Sequence, residues 1–126
     1  MNERDLIFEQ YKLIKEAEEQ STMTVDVGGN KFWMLPNGEL HRVDGPAVEY
    51  ANGDKQWWVN DKRHREDGPA VELANGTKEW WVNDIQYNTP SDWAEAVLKL
   101  HNKPYDQKDI DRFLKLIFSN GLNDLL

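Results

Sequence analysis

Two His-Arg pairs, His41-Arg42 and His64-Arg65, and two tryptophan pairs, Trp57-Trp58 and Trp80-Trp81, recur in this chain at a fixed interval of 23 residues. Guanidinium groups hold carboxylates or phosphates through two parallel hydrogen bonds, and indoles stack on flat ligands or anchor partner surfaces. If the repeats pack regularly, the pairs, with Lys62 and Arg63, make a basic row along one edge. The alternative is that Arg42 and Arg65 pair with Asp44, Asp67 or Glu49 of the same chain. Glu49 and Glu72 also recur at this interval, and two carboxylates on one face are the material of acid and base catalysis. As repeat equivalents they share one environment, so nothing separates their proton affinities, and a solvated row is the simpler reading.

No other catalytic pattern accompanies them. The chain has no cysteine, no glycine-rich phosphate loop and no serine in a nucleophile elbow, so an enzyme is not expected. Two histidines one repeat apart, with several aspartates, match no metal's ligand spacing, and neither a metal nor a cofactor is expected.

The elements that position these residues follow from the repeats. Residues 41–63 and 64–86 are identical at 17 of 23 aligned positions. Each copy carries Asn-Gly between alternating segments, which predicts hairpin tips at Asn52-Gly53 and Asn75-Gly76 with two-residue type I′ turns. In that register Val48 faces Trp57 and Glu49 faces Gln56. One face is then apolar, with Val48, Tyr50, Trp57, Val59, Val71, Leu73, Trp80 and Val82. The other carries Glu49, Gln56, Glu72 and Glu79 with Trp58 and Trp81 set beside small alanines. Trp57 and Trp80 read as core. Trp58 and Trp81 are either covered by a terminal helix or form a binding platform.

A degenerate copy at residues 25–40, with Lys31, Trp33 and Leu35 matching Lys55, Trp57 and Val59, reads as a capping repeat. An amphipathic helix is expected over residues 1–20, where Ile7, Tyr11 and Ile14 keep helical spacing. A helical pair is expected over residues 89–126. Thr89 caps its first helix, Pro90 takes the first position, and Trp93, Val97 and Leu100 make the buried face. The second helix places Ile110, Phe113, Leu114 and Ile117 on one stripe and stops at Asn120-Gly121. Residues 1–126 thus read as a single α+β domain, an antiparallel meander of five to six strands with helices at both ends.

A net charge of −8 argues against binding a phosphate backbone or an anionic membrane, since both need clustered Lys and Arg. A basic protein surface suits it better. The opening "MNERDLIFEQ" lacks the pattern of a secretory leader and no run approaches the roughly 18 apolar residues of a membrane span, so a soluble, cytoplasmic protein is expected.

The stretch "YANGDKQWWVNDKRH" followed by "DGPA" resembles a MORN repeat: an aromatic residue, a short glycine-containing turn, an aromatic-rich strand, then Asn-Asp, basic residues and His. The resemblance covers residues 25–87. Arg42 and Arg65 stand where that pattern usually has glycine, and Asp-Gly-Pro-Ala replaces its glycine pair. It implies scaffolding and protein binding and implies no catalytic site. The style of the repeats also resembles small repeat-bearing proteins of tailed bacteriophages.

Two functions are therefore expected. The first is a non-catalytic binding protein, a phage-type inhibitor that recognises a host protein or defence complex in the host cytoplasm through acidic helices and the Trp58/Trp81 face. The second is a homo-oligomer that captures a nucleotide-like signalling molecule between the Trp58/Trp81 platform and the row of His41, Arg42, His64 and Arg65.

Overall fold

The computed structural model describes residues 21–102 and 104–119. The helix expected over residues 1–20 and the stop expected at Asn120-Gly121 lie outside the described residues. Within them the chain is α+β. Nine short strands are followed by two helices: β1 Thr22–Val25, β2 Lys31–Met34, β3 Val48–Glu49, β4 Lys55–Gln56, β5 Trp58–Val59, β6 Lys62–Arg63, β7 Val71–Glu72, β8 Lys78–Val82, β9 Ile85–Tyr87, α1 Pro90–Leu100 and α2 Gln107–Ser119. Seven strands form an antiparallel sheet in the order β1-β2-β3-β4-β7-β8-β9, and β5 pairs with β6 beside it. The expected five to six strands become nine because the Asn60-Asp61 and Asn83-Asp84 turns each return a further short strand, β6 and β9, and because the first full copy leaves the strand conformation at Trp57, dividing Lys55–Val59 into β4 and β5, whereas β8 stays continuous.

The register differs by one residue from the expected one. Val48 lies opposite Gln56 and Glu49 opposite Lys55; likewise Val71 lies opposite Glu79 and Glu72 opposite Lys78. The cause is the loop. Tyr50 N–H donates to the Asp54 carbonyl and Gly53 N–H to the Tyr50 carbonyl, enclosing Ala51, Asn52 and Gly53, and only Gly53, at φ 101°, is left-handed. Asn52 acts through its side chain, whose Oδ1 accepts from Asp54 N–H at 2.9 Å. Such a three-residue loop slips the strands by one position, and a one-residue slip exchanges the faces. The expected apolar face is therefore not formed as a unit: Tyr50 is 37% exposed, while Ala47 and Ala70, assigned to the other face, are fully buried. The turns with two left-handed residues lie at the other end of each repeat, at Asn60-Asp61 (φ 49° and 66°) and Asn83-Asp84 (φ 47° and 69°).

Side chains in these loops bind successive copies together. Asn30 Oδ1 accepts from Ala51 N–H at 2.9 Å and Asp54 Oδ1 from Ala74 N–H at 2.7 Å. On the opposite edge, Asp61 Oδ1 accepts from Leu40 N–H at 3.1 Å and Asp84 Oδ1 from Arg63 N–H at 2.9 Å. Carboxylates accepting backbone N–H groups take the place of ladder bonds that short strands lack.

The helices close the last copy. Thr89 caps α1, its side chain accepting from Asp92 N–H, with Pro90 in the first turn as expected. The buried face of α1 is Trp93, Ala94 and Val97; Leu100, expected with them, is 42% exposed. The face turns toward Ala94 because α1 packs between β8 and α2. Trp93 meets Trp80 at 4.8 Å between ring centroids and Phe113 at 5.4 Å. Ile110 and Ile117 of α2 complete this core, with Phe113 and Leu114 partly buried against it.

Trp93 is completely buried and its indole N–H donates to the Arg65 carbonyl at 2.9 Å. Trp93→Ala is expected to destabilise the protein by about 3–5 kcal/mol, through the lost ring and its cavity, with Trp93→Phe costing less. Urea denaturation followed by far-ultraviolet circular dichroism checks this; equal stability of Trp93→Ala and the native chain would contradict the packing described.

Candidate functional site

The repeat motif folds as one local unit around each tryptophan of the inner row. The Arg42 guanidinium lies 4.0 Å above the Trp33 ring and that of Arg65 lies 3.9 Å above Trp57. Arg42 Nε donates to Asp44 at 3.2 Å and its Nη1 to the Pro46 carbonyl at 3.1 Å, with Glu49 at 3.9 Å. Arg65 repeats the pattern with Asp67 at 2.7 Å, the Pro69 carbonyl at 2.9 Å and Glu72 at 3.4 Å. A Cβ on Gly45 would stand 2.8 Å from the Arg42 guanidinium carbon, and one on Gly68 would stand 2.7 Å from that of Arg65. The glycine of Asp-Gly-Pro-Ala thus leaves the cation its present place, which a larger residue would displace, and both arginines are engaged within the chain.

The histidines are also internal. His41 and His64 are 2% and 8% exposed, and each Nδ1 accepts a backbone N–H, from Asn60 and Asn83 respectively, at 3.1 Å. A donor at Nδ1 fixes the proton on Nε2. Here the copies diverge. His41 Nε2 is buried without a partner, and burial pushes the ring below its ordinary pKa against the opposing charge of Glu39. His64 Nε2 instead reaches Glu66 at 2.6 Å, and the second oxygen of Glu66 meets His101 at the end of α1. Glu66 stands where the first copy has Val43. Burial raises the Glu66 carboxyl, but hydrogen bonds from His64 and His101 outweigh it and leave the pKa below its ordinary value. This His-Glu-His clasp was not foreseen from the sequence; its only signal was the unlike residue in an otherwise repeated motif.

Trp58 and Trp81 are half-buried, and the helix expected over residues 1–20 as one cover for them lies outside the described residues. The Arg63 guanidinium carbon lies between them, 4.7 Å from one ring centroid and 4.9 Å from the other. Gln56 and Glu79 accept the two indole N–H groups at 2.9 Å each, which holds the rings in place. The structure therefore brings Trp58 and Trp81 together through Arg63, and sets Arg42 and Arg65 with the histidines in the interior.

Two clefts flank these groups. One of about 310 Å³ is lined by Val43, Trp57, Val59, Glu66 and the inner arginines. Another of about 560 Å³ lies between β9 and α1, with Ile85, Tyr87, Leu100, Asp92 and Glu95 among its walls. Among the described residues, no three or more His, Asp or Glu side chains are grouped to hold a metal ion, and no helix is long and apolar enough to cross a membrane. Compared with known proteins, the chain matches no family model, no curated protein and no solved structure at a significant level.

Glu66 has a depressed folded pKa, so its contribution to stability is present above its ordinary value of 4.5 and is lost as pH falls through the folded value. Glu66→Gln should lower the urea midpoint near neutral pH, and its gap from the native protein should narrow at about pH 3. A gap unchanged across that range would show that the carboxylate's charge is not what holds the clasp.

Proposed function

We propose that this chain is a non-catalytic protein-binding module on a MORN-like scaffold of β-hairpin repeats. The observation that supports this most is the Trp58-Arg63-Trp81 stack. Two half-buried indoles and one arginine, fixed by neighbouring side chains, are of the residue types that carry most binding energy at protein interfaces. The repeated arginines, Arg42 and Arg65, are engaged within the chain. Capture of a nucleotide-like molecule would need Arg42 or Arg65 to exchange Asp44 or Asp67 for phosphate, in a chain of net charge −8. Protein binding needs no such exchange.

The specific form of the reading is a phage-type inhibitor of a host protein or defence complex, supported by the likeness of the repeats to small bacteriophage proteins. The acidity favours a target whose surface is basic overall, since such charge speeds encounter.

The test is native mass spectrometry of the gently purified protein together with affinity capture, comparing the native chain with Trp58→Ala and Trp81→Ala variants of unchanged circular dichroism. A protein partner bound stoichiometrically by the native chain and lost with both variants is expected. A retained mass of nucleotide size, unaffected by partner proteins, would overturn the reading.

A further inference from the structure

Arg63 differs from the other described arginines in having no carboxylate within 4.0 Å among the described residues. Arg42, Arg65 and Arg112 each have a carboxylate oxygen within 4.0 Å; Arg63 has only the two indole faces and, for its backbone, Asp84. Its Nε is buried without a hydrogen-bond partner, whereas its two terminal nitrogens are not among the buried unpartnered atoms. The stem end of the guanidinium is thus shut in, and the Nη edge is the part left to solvent.

With the guanidinium carbon held against two indole rings and Nε buried, the terminal N–H groups are the part of the cation that a ligand can reach. A planar acceptor with two oxygens suits them, because it meets both terminal N–H groups at once. We propose that the Nη edge of Arg63, clamped between Trp58 and Trp81, is a binding site for a single carboxylate presented by a partner protein. This rests on the protein-binding reading and names the chemistry at the centre of its contact.

A carboxylate fits better than a phosphate on two grounds. The chain's charge of −8 penalises the more highly charged anion, and the Glu79 carboxylate stands beside Trp81, where its oxygen accepts the indole N–H. The overall acidity and the local cation are compatible. Long-range attraction brings a basic surface close, and the fixed guanidinium selects one acidic group within it. The site is particular to one place in the array: the positions equivalent to Arg63 in the neighbouring copies are Leu40 and Gln86.

The ligand carboxylate can be probed without the partner. Sodium acetate is titrated into the isotope-labelled native protein at neutral pH, against sodium chloride of equal ionic strength, while the six indole N–H resonances are followed. Saturable shifts confined to Trp58 and Trp81 are expected. Arg63→Lys, which keeps the charge and loses the planar fork, should weaken them roughly tenfold or more. Arg112→Lys, on the exposed side of α2, should leave them unchanged. No shift beyond that of chloride, equal binding by folded Arg63→Lys, or tighter binding of inorganic phosphate would each overturn the proposal. The titration of the native protein decides the first and last of these even where the variant fails to fold. Acetate binding with no protein partner would leave this site standing and remove the protein-binding reading. A Trp81-dependent partner without acetate binding would do the reverse.

Discussion

Each tryptophan of the inner row is a flat ring that its own hairpin cannot cover, and the fold depends on supplying a flat group to lie on it. For Trp33 and Trp57 that group is the arginine of the following motif, at 4.0 and 3.9 Å. A guanidinium is suited to this place because its faces are weakly hydrated while its edge still needs hydrogen bonds. The motif provides those bonds locally. The aspartate two residues on accepts from Nε and the proline carbonyl four residues on accepts from Nη1, while the glycine between them leaves room for the cation. The run His-Arg-x-Asp-Gly-Pro-Ala is therefore a single packing device, in which a larger residue at the glycine would displace the arginine from its ring.

That constraint also determines how the array ends. No third His-Arg motif follows Trp80, so the ring needs another cover, and Trp93 provides it at 4.8 Å between centroids. Trp93 falls 23 residues after Ala70, which itself falls 23 after Ala47, and all three are completely buried. The helix thus enters the array at the place the next repeat would have used. Glu66 serves the same junction: by joining His64 to His101 it ties the last motif to the end of α1. The first full copy has no helix to hold, and its valine leaves His41 Nε2 without a partner.

Features determined within a few residues were legible in the sequence, and those determined across strands were not. Thr89, Pro90 and Asp92 act on the adjacent helix turn, so the start of α1 could be read directly. The hairpin tips were also placed correctly at Asn52-Gly53 and Asn75-Gly76. Their register was not, because Asn-Gly is compatible with loops of two or three residues. What selects the longer loop is the Asn52 side chain bonding Asp54 N–H in place of a left-handed Asn52 backbone. One residue of slip then moved Tyr50 outward and Ala47 inward. Leu100 was misplaced for a similar reason: helical spacing defines a stripe, but the two partners of α1 decide which edge of it is buried.

The candidate site follows from the differences between the copies. The repeated histidines and arginines are used within and between the copies, which is why these groups, the most reactive-looking in the sequence, are engaged inside the chain, while the repeated Trp58 and Trp81 are set apart by the unrepeated Arg63 over them. Six positions differ. Gln56 and Glu79 both accept an indole N–H, Glu66 replaces Val43 at the junction with α1, and Asp54 bonds a following copy that Thr77 does not have. Tyr50 packs edge-on against Phe32, a contact available only beside the first copy. The pair Lys62-Arg63 stands against Ile85-Gln86: Arg63 lies over the indoles of two successive copies, whereas Gln86, opposite Trp81, has no later copy beside it. The two indoles favour the charge, but one nitrogen is buried unpaired and no carboxylate among the described residues lies within 4.0 Å of it, so the hydrogen bonding of this cation is incomplete within the stack. An acceptor supplied from outside the chain would complete it, which is the contact proposed for the Nη edge.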